Sequence, residues 1–203
     1  MKFVQFEKVR DGCYLKSYEL TYLNKSGQQK KYEIVSHKEL QKVEDIGARP
    51  SGVSIIATCG GKLLLLREFR MGVNREIYNL CAGMLEAGET IEECIARELY
   101  EETGLQVKSI RKILPPSFAA VAISDMTTYI AFVEATGTIA DHTSDNEQIT
   151  AAFYTRDEVK ALLEALSSPL ISSQKGLWNS LDAVNPQNRR VPKRIPTMRK
   201  RQL

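Results

Sequence analysis

Three glutamates stand within five positions of one another near the middle of this 203-residue chain: Glu98, Glu101 and Glu102. In a helix, residues four apart project about 40° apart and lie roughly 6 Å apart along the axis, so Glu98 and Glu102 would turn their carboxylates toward one point. Glu101 falls on the adjacent edge. Clustered like charges destabilise an isolated helix by roughly a few tenths of a kcal/mol per pair, and a bound divalent cation would remove that penalty. Hard oxygen ligands on one face, with room for water and phosphate oxygens, suit magnesium or manganese better than zinc. The preceding segment, Gly83 to Glu89, reads as a loop whose Gly83 and Gly88 let backbone carbonyls approach the same cation. Arg97 has no lone pair to give a metal and is expected to pair with Glu89 or Glu101, holding loop and helix in register. The competing reading of the whole stretch is a surface helix with a solvated acidic face.

Spacing decides between these readings. The run from Gly83 to Leu105, GMLEAGETIEECIARELYEETGL, has a glycine, five residues, Glu89, seven residues, Arg97-Glu98, an aliphatic residue, one residue, Glu101-Glu102, one residue, Gly104 and Leu105. At average residue frequencies such a run arises by chance in on the order of one in ten million windows. It resembles the Nudix box at every specified position. The resemblance implies a hydrolase that cleaves a pyrophosphate bond in a nucleoside-diphosphate compound with Mg2+, or alternatively Mn2+. Glu98 and Glu102 would be metal ligands, Glu101 an auxiliary ligand or base, and the carbonyl of Ala82 would complete a metal position.

The flanks resemble the ADP-ribose pyrophosphatase group, through Arg67-Glu68-Phe69-Arg70 and Glu76-Ile77-Tyr78-Asn79-Leu80-Cys81-Ala82-Gly83. The resemblance extends from Val53 to Asp182. It implies that ADP-ribose is split to AMP and ribose 5-phosphate and that Arg70 contacts the substrate, as a guanidinium suits bidentate recognition of phosphate. Met84 is a second candidate substrate contact. Glu147 falls where the group carries a late acidic loop supplying a general base or metal ligand, with Asp145 the competing choice; Glu101, Glu147 and Arg97 form the candidate catalytic set. Two departures stand out. Cys81 replaces the proline usual before Ala-Gly, and the Ser-Pro-Gly loop expected after the box gives way to Pro115-Pro116-Ser117-Phe118. Other outcomes are action on a different nucleoside-diphosphate compound or an RNA 5′ end, or a non-catalytic ligand-binding module.

The elements that must position these residues follow from periodicity and turn chemistry. Phe3 to Val9, Tyr18 to Tyr22 and Lys31 to Val35 read as antiparallel strands, the last two joined at Asn24-Lys25-Ser26-Gly27. By resemblance this unit joins two subunits into a homodimer. A polar stretch from His37 ends at Gly47-Ala48-Arg49-Pro50. Val53 to Thr58 and Lys62 to Phe69 flank Cys59-Gly60-Gly61 as a buried hairpin, and Glu76 to Cys81 is a third strand leading into the glycine-bearing loop. Thr90 and Glu93 form a capping box for a helix with Ile91, Ile95 and Leu99 on one face and Gly104 at its stop. Strands are expected at Gln106 to Ile113, Thr127 to Glu134 and Gln148 to Tyr154, then helices at Arg156 to Leu166 and Leu170 to Asp182, the latter packing Trp178 into the core. The expected class is α+β: a Nudix-type α/β/α sandwich with a mixed sheet over residues 49–184, a small antiparallel β unit over 1–48, and a basic tail over 185–203.

Composition sets the outer limits. With 43% hydrophobic and 26% charged residues the chain reads as globular, and its longest apolar runs fall far short of the roughly 20 residues of a membrane span. No apolar stretch follows Met1 as a signal peptide requires, so a cytoplasmic location is expected. Cys13, Cys59, Cys81 and Cys94 lack the close pairing of zinc sites and read as free structural thiols. Net charge is +3, but the tail from Asn185 carries seven basic residues and no acid, leaving the remainder acidic. Pro192 and Pro196 interrupt that tail and no aromatics interleave for base stacking, so a nucleic-acid partner is not favoured. His37 and His142 are too far apart in sequence to read as a local metal pair.

Overall fold

In the computed structural model the residues described are 1–140 and 148–165. The chain divides into one unit from Met1 to Arg156 and a second from Asp157 onward. Of the second, the described element is the helix begun at the boundary, α2 (Arg156–Ala165), whose N-terminal turn carries Asp157 and Glu158, favourably placed against the helix dipole. The expected helix from Leu170 to Asp182, with Trp178, lies outside the described residues. Among the described residues no helix is long and apolar enough to cross a membrane.

The first unit opens with three antiparallel strands in the order β1 (Lys2–Asp11), β2 (Lys16–Leu23) and β3 (Gln29–Ser36). Asn24 sets the second turn: its Oδ1 accepts the backbone N–H groups of Ser26 and Gln28, both at 2.9 Å, and Gly27 takes the positive φ that closes the turn. Tyr18, Leu20, Ile34 and Leu40 form a small core for this sheet. Its edge strand is tied to the segment after β8 described below, for Val35 N–H donates to Ile123 O at 2.8 Å and Tyr32 Oη donates to Ala122 O at 2.5 Å.

The larger sheet has β10 (Ile149–Tyr154), β5 (Lys62–Arg70), β4 (Gly52–Cys59), β9 (Thr127–Thr136) and β8 (Gln106–Phe118) in that order. It is mixed, because β4 and β9 run parallel while β8 and β9 run antiparallel. Val53, Ile55, Leu64, Leu66, Ala131 and Val133 form its inner face with Ile95 and Leu99 of α1 (Ile91–Thr103). Each fully buried valine, leucine or isoleucine among them contributes about 1.5–3 kcal/mol. A mixed sheet with few helices beside a small antiparallel sheet is the α+β class read from the sequence.

Four expectations about this sheet change. The buried hairpin forms only at its tip, where Thr58 pairs with Leu63 and Cys59 with Lys62. Beyond the tip β4 and β5 part, and the wedge is filled by the next stretch of chain, which is two strands rather than one. β6 (Arg75–Asn79) pairs with β5, the chain crosses at buried Leu80, and β7 (Cys81–Met84) pairs with β4. Gly83 and Met84 therefore belong to a strand, and the loop begins at Leu85. The strand expected to end at Ile113 continues to Phe118, with a register shift between Leu114 and Ser117 that accommodates Pro115 and Pro116, since a bulge tolerates a residue without an N–H.

Candidate functional site

The box helix starts and stops where its end residues dictate. Thr90 Oγ1 accepts the Glu93 N–H at 3.3 Å while a Glu93 carboxylate oxygen accepts the Thr90 N–H at 2.8 Å, the reciprocal pairing that satisfies two orphan donors. Gly104 takes φ 71° and donates its N–H to Tyr100 O at 2.7 Å, ending the helix. Cys94, Ile95 and Leu99 are buried against the sheet. The glutamate face is thereby turned toward β7.

Gly83 makes room for the first carboxylate. A Cβ built on Gly83 would lie 1.7 Å from both the carboxyl carbon and Oε1 of Glu98, so the carboxylate fills the space a side chain would take. Gly52 does the same one strand over: its Cβ would lie 2.0 Å from the Gly83 carbonyl oxygen. Two glycines on paired strands thus let backbone and carboxylate close up. The second carboxylate is held from the same strand, as Ala82 N–H donates to Glu102 Oε2 at 3.2 Å.

Arg97 ties these parts together. Its Nε and Nη2 donate to the two Glu89 oxygens at 2.7 and 3.0 Å, and Nη2 also donates to Met84 O at 3.0 Å. Its Nη1 donates to Glu98 Oε1 at 2.8 Å and to Glu101 Oε2 at 3.1 Å. One guanidinium thus joins loop, strand and helix through five hydrogen bonds to oxygen, with a sixth, longer one from Nη2 to Cys94 Sγ at 3.7 Å. The two partners offered by the sequence reading are both engaged, with Glu98 added, because Glu98 is drawn under the guanidinium by its seat at Gly83.

The electrostatics divide the carboxylates. Arg97 beside Glu89, helped by the Glu86 N–H, holds the Glu89 carboxyl at about 2. Burial pushes Glu102 up to about 7, against the opposing hydrogen bonds from Cys81 and Ala82. Burial also raises Glu98, against the pull of Arg97. The Cys94 thiol is pushed up to about 12, and that of Cys81 well above its usual range, both by burial, so both are un-ionised structural thiols at neutral pH. All four cysteines are free.

Of the remaining candidates Met84 and Arg70 are among the described residues. Met84 has an exposed side chain, and its carbonyl is committed to Arg97. Arg70, at the end of β5, is half exposed and sits with its Nε 2.9 Å from Glu68 Oε1. Glu147 and Asp145 lie outside the described residues. Sequence reasoning passed over Glu68, a buried carboxylate that accepts the Asn79 amide at 2.7 Å. Its signal was available: side chains alternate along a strand, and Glu68 keeps step with Leu64 and Leu66 on the buried face. Among the described residues no three of His, Cys, Asp and Glu are gathered closely enough to form a metal cage by themselves; the cation at Glu98 and Glu101 is Arg97.

Three comparisons bear on this arrangement. A family model described as the NUDIX domain matches residues 48–173. The NAD-capped RNA hydrolase NudC of Mycobacterium tuberculosis strain H37Ra is 30% identical over 140 residues, 65% of this chain and 39% of the relative. That of Photobacterium profundum is 66% identical over 35 residues, 17% of this chain and 13% of the relative. The chain thus spans well under half the length of these curated relatives. A crystal structure of an ADP compounds hydrolase superposes with a TM-score of 0.68 at 18% identity, covering 90% of this chain and 94% of the other, a likeness of fold. With the family model covering more than half of its length, the chain belongs to the Nudix family.

Proposed function

We propose that this chain is a metal-dependent hydrolase that cleaves the pyrophosphate bond of a nucleoside-diphosphate sugar, with ADP-ribose split to AMP and ribose 5-phosphate. The observation that carries the reading is the paired seating of Glu98 and Glu102 against β7, one in the space left by Gly83 and the other on the Ala82 N–H. A buried and a partly buried carboxylate paired beside a backbone strand suit a hard divalent cation, Mg2+ or Mn2+. Glu98 and Glu102, with Glu101 and the Ala82 carbonyl, would hold it. A cation there would neutralise charge on the diphosphate and lower the pKa of the attacking water.

The chain's own residues do the positioning. Arg97 locks the loop to the helix so that Glu98 and Glu101 share one edge. Arg70 offers its half-exposed guanidinium to the diphosphate, and Met84 stands exposed at the end of the cation strand as an apolar contact. Glu101, more open than Glu98 or Glu102, or Glu147 takes the proton of the attacking water. Fixed charge and orientation supply most of the acceleration, as is usual in phosphoryl transfer.

The relatives' names favour one neighbouring substrate. ADP-ribose and NAD share an AMP joined through a diphosphate to a ribose, so a site that reads that core would accept a NAD cap as well. Incubation with ADP-ribose, NAD and NAD-capped RNA in Mg2+, followed by product chromatography, tests the proposal: release of AMP, or of a 5′-monophosphate RNA, is expected. A folded protein that releases neither from any of the three refutes it, and leaves a ligand-binding module as the reading.

Homodimerisation through the small sheet is part of the same proposal, supported by Phe3, Val4 and Val9 exposed on β1; sedimentation of the intact chain checks it. A cytoplasmic setting is supported by four free thiols.

A further inference from the structure

Glu68 and Asn79 meet across the paired strands β5 and β6, and Arg70 is the last residue of β5. Glu68 is a carboxylate on the buried face of the sheet, its side chain 5% exposed. A carboxylate so placed is costly unless it is paired. Its Oε1 accepts the Asn79 Nδ2 amide at 2.7 Å and lies 2.9 Å from Arg70 Nε. Asn79 cannot turn over, because its Oδ1 accepts the Leu80 N–H at 2.9 Å. Leu80 is the residue at which the chain crosses from β6 to β7, the strand that seats Glu98 and Glu102.

We propose that Glu68 is a positioning residue for substrate binding, a buried anchor that Asn79 fixes to the β6–β7 crossing and that aims the Arg70 guanidinium at the diphosphate. This rests on the hydrolase reading, through Arg70. An arginine whose side chain is half exposed has many rotamers to choose from and pays their entropy on binding. Gripping Nε at a buried oxygen removes much of that freedom while leaving the terminal Nη1 and Nη2 donors for phosphate. The anchor and the cation seat share one piece of backbone, so the spacing between guanidinium and cation is set by three residues, Asn79 to Cys81. That spacing is what a diphosphate bridging the two would read.

The test is a double-mutant cycle on the intact chain, reading the Kd of an ADP-ribose analogue with a methylene bridge in place of the diphosphate oxygen, in Mg2+, by calorimetry. Glu68→Gln keeps Oε1 as an acceptor for the Asn79 amide but removes the charge that pairs with Arg70, and a five- to tenfold weaker Kd is expected. Glu68→Asp keeps the charge but draws the oxygen back from Nε, and the same direction is expected should the glutamine variant not fold. Arg70→Ala should weaken binding further, and adding Glu68→Gln to it should change Kd by less than twofold, because the anchor then has nothing to aim. A purely structural role for Glu68 would instead give additive losses. Additive losses, or wild-type Kd in the folded Glu68 variants, overturn the anchor while leaving the hydrolase reading intact. A wild-type chain that neither binds the analogue nor hydrolyses ADP-ribose overturns both.

Discussion

The Glu98 carboxylate occupies the volume that a side chain on Gly83 would fill, with its carboxyl carbon 1.7 Å from where that Cβ would lie. Gly83 is an ordinary β-strand residue with no left-handed φ. Its need for glycine is therefore a matter of space at the carboxylate, unlike that of Gly104, which needs the left-handed conformation to end the helix.

Gly83→Ala should accordingly act on chemistry more than on folding. The methyl group must push the Glu98 carboxylate aside by more than 1 Å, and a displacement of that size at a reacting centre costs about a hundredfold in rate. Turnover of ADP-ribose by the variant is expected to fall by about that factor with the helical circular dichroism preserved. A variant within threefold of the parent would show that Glu98 reaches its working position by another route.

Arg97→Met tests the tie between loop, strand and helix. Methionine keeps part of the packing and removes every guanidinium hydrogen bond, leaving Glu89 and Glu98 without their cation. At neutral pH the variant should melt roughly 5 °C lower. The sign with pH follows from Glu89. Its folded pKa of about 2 lies below its unfolded value, so its stabilisation is full above about 4.5 and is lost as pH falls toward 2. The Tm gap between parent and variant should narrow over that window; a gap that is constant from pH 6 to 2.5 would assign the stabilisation to something other than the ion pairs.

Much of this site could be read from the chain because local rules govern it. Thr90, Glu93 and Gly104 bracket the helix through contacts within a few residues, and the fourfold spacing of Glu98 and Glu102 follows from helix geometry. The parting of β4 and β5 is a different kind of fact. Nothing in Val53 to Phe69 records that the hairpin will open, because the strands that open it arrive later and pair across the gap. The reading of Gly83 as a loop residue failed for the same reason: its strand character comes from Val53 on β4. Strand alternation places Glu68 on the buried face with Leu64 and Leu66, but the partners that make a carboxylate tolerable there, Asn79 and Arg70, come alongside only in the folded sheet.

The final prediction concerns Glu102, and it couples cation binding to a proton. Burial raises its carboxyl to about 7, so near neutral pH the cation-free protein holds a proton there for much of the time. A cation must displace that proton to use the oxygen. Apparent Mn2+ affinity should therefore rise about tenfold per pH unit below 7 and level off above it, with close to one proton released per cation at pH 6, measurable by calorimetry in buffers of different ionisation enthalpy. Folding follows the opposite slope without the cation: the folded state keeps a proton that the unfolded state gives up, so stability declines as pH rises from about 4.5 to about 7. Glu102→Gln removes both effects, flattening the stability profile over that range and abolishing ADP-ribose turnover. A parent protein whose Mn2+ affinity does not change between pH 5.5 and 7.5 would show that Glu102 is ionised before the cation arrives, and would remove it from the proton-coupled step.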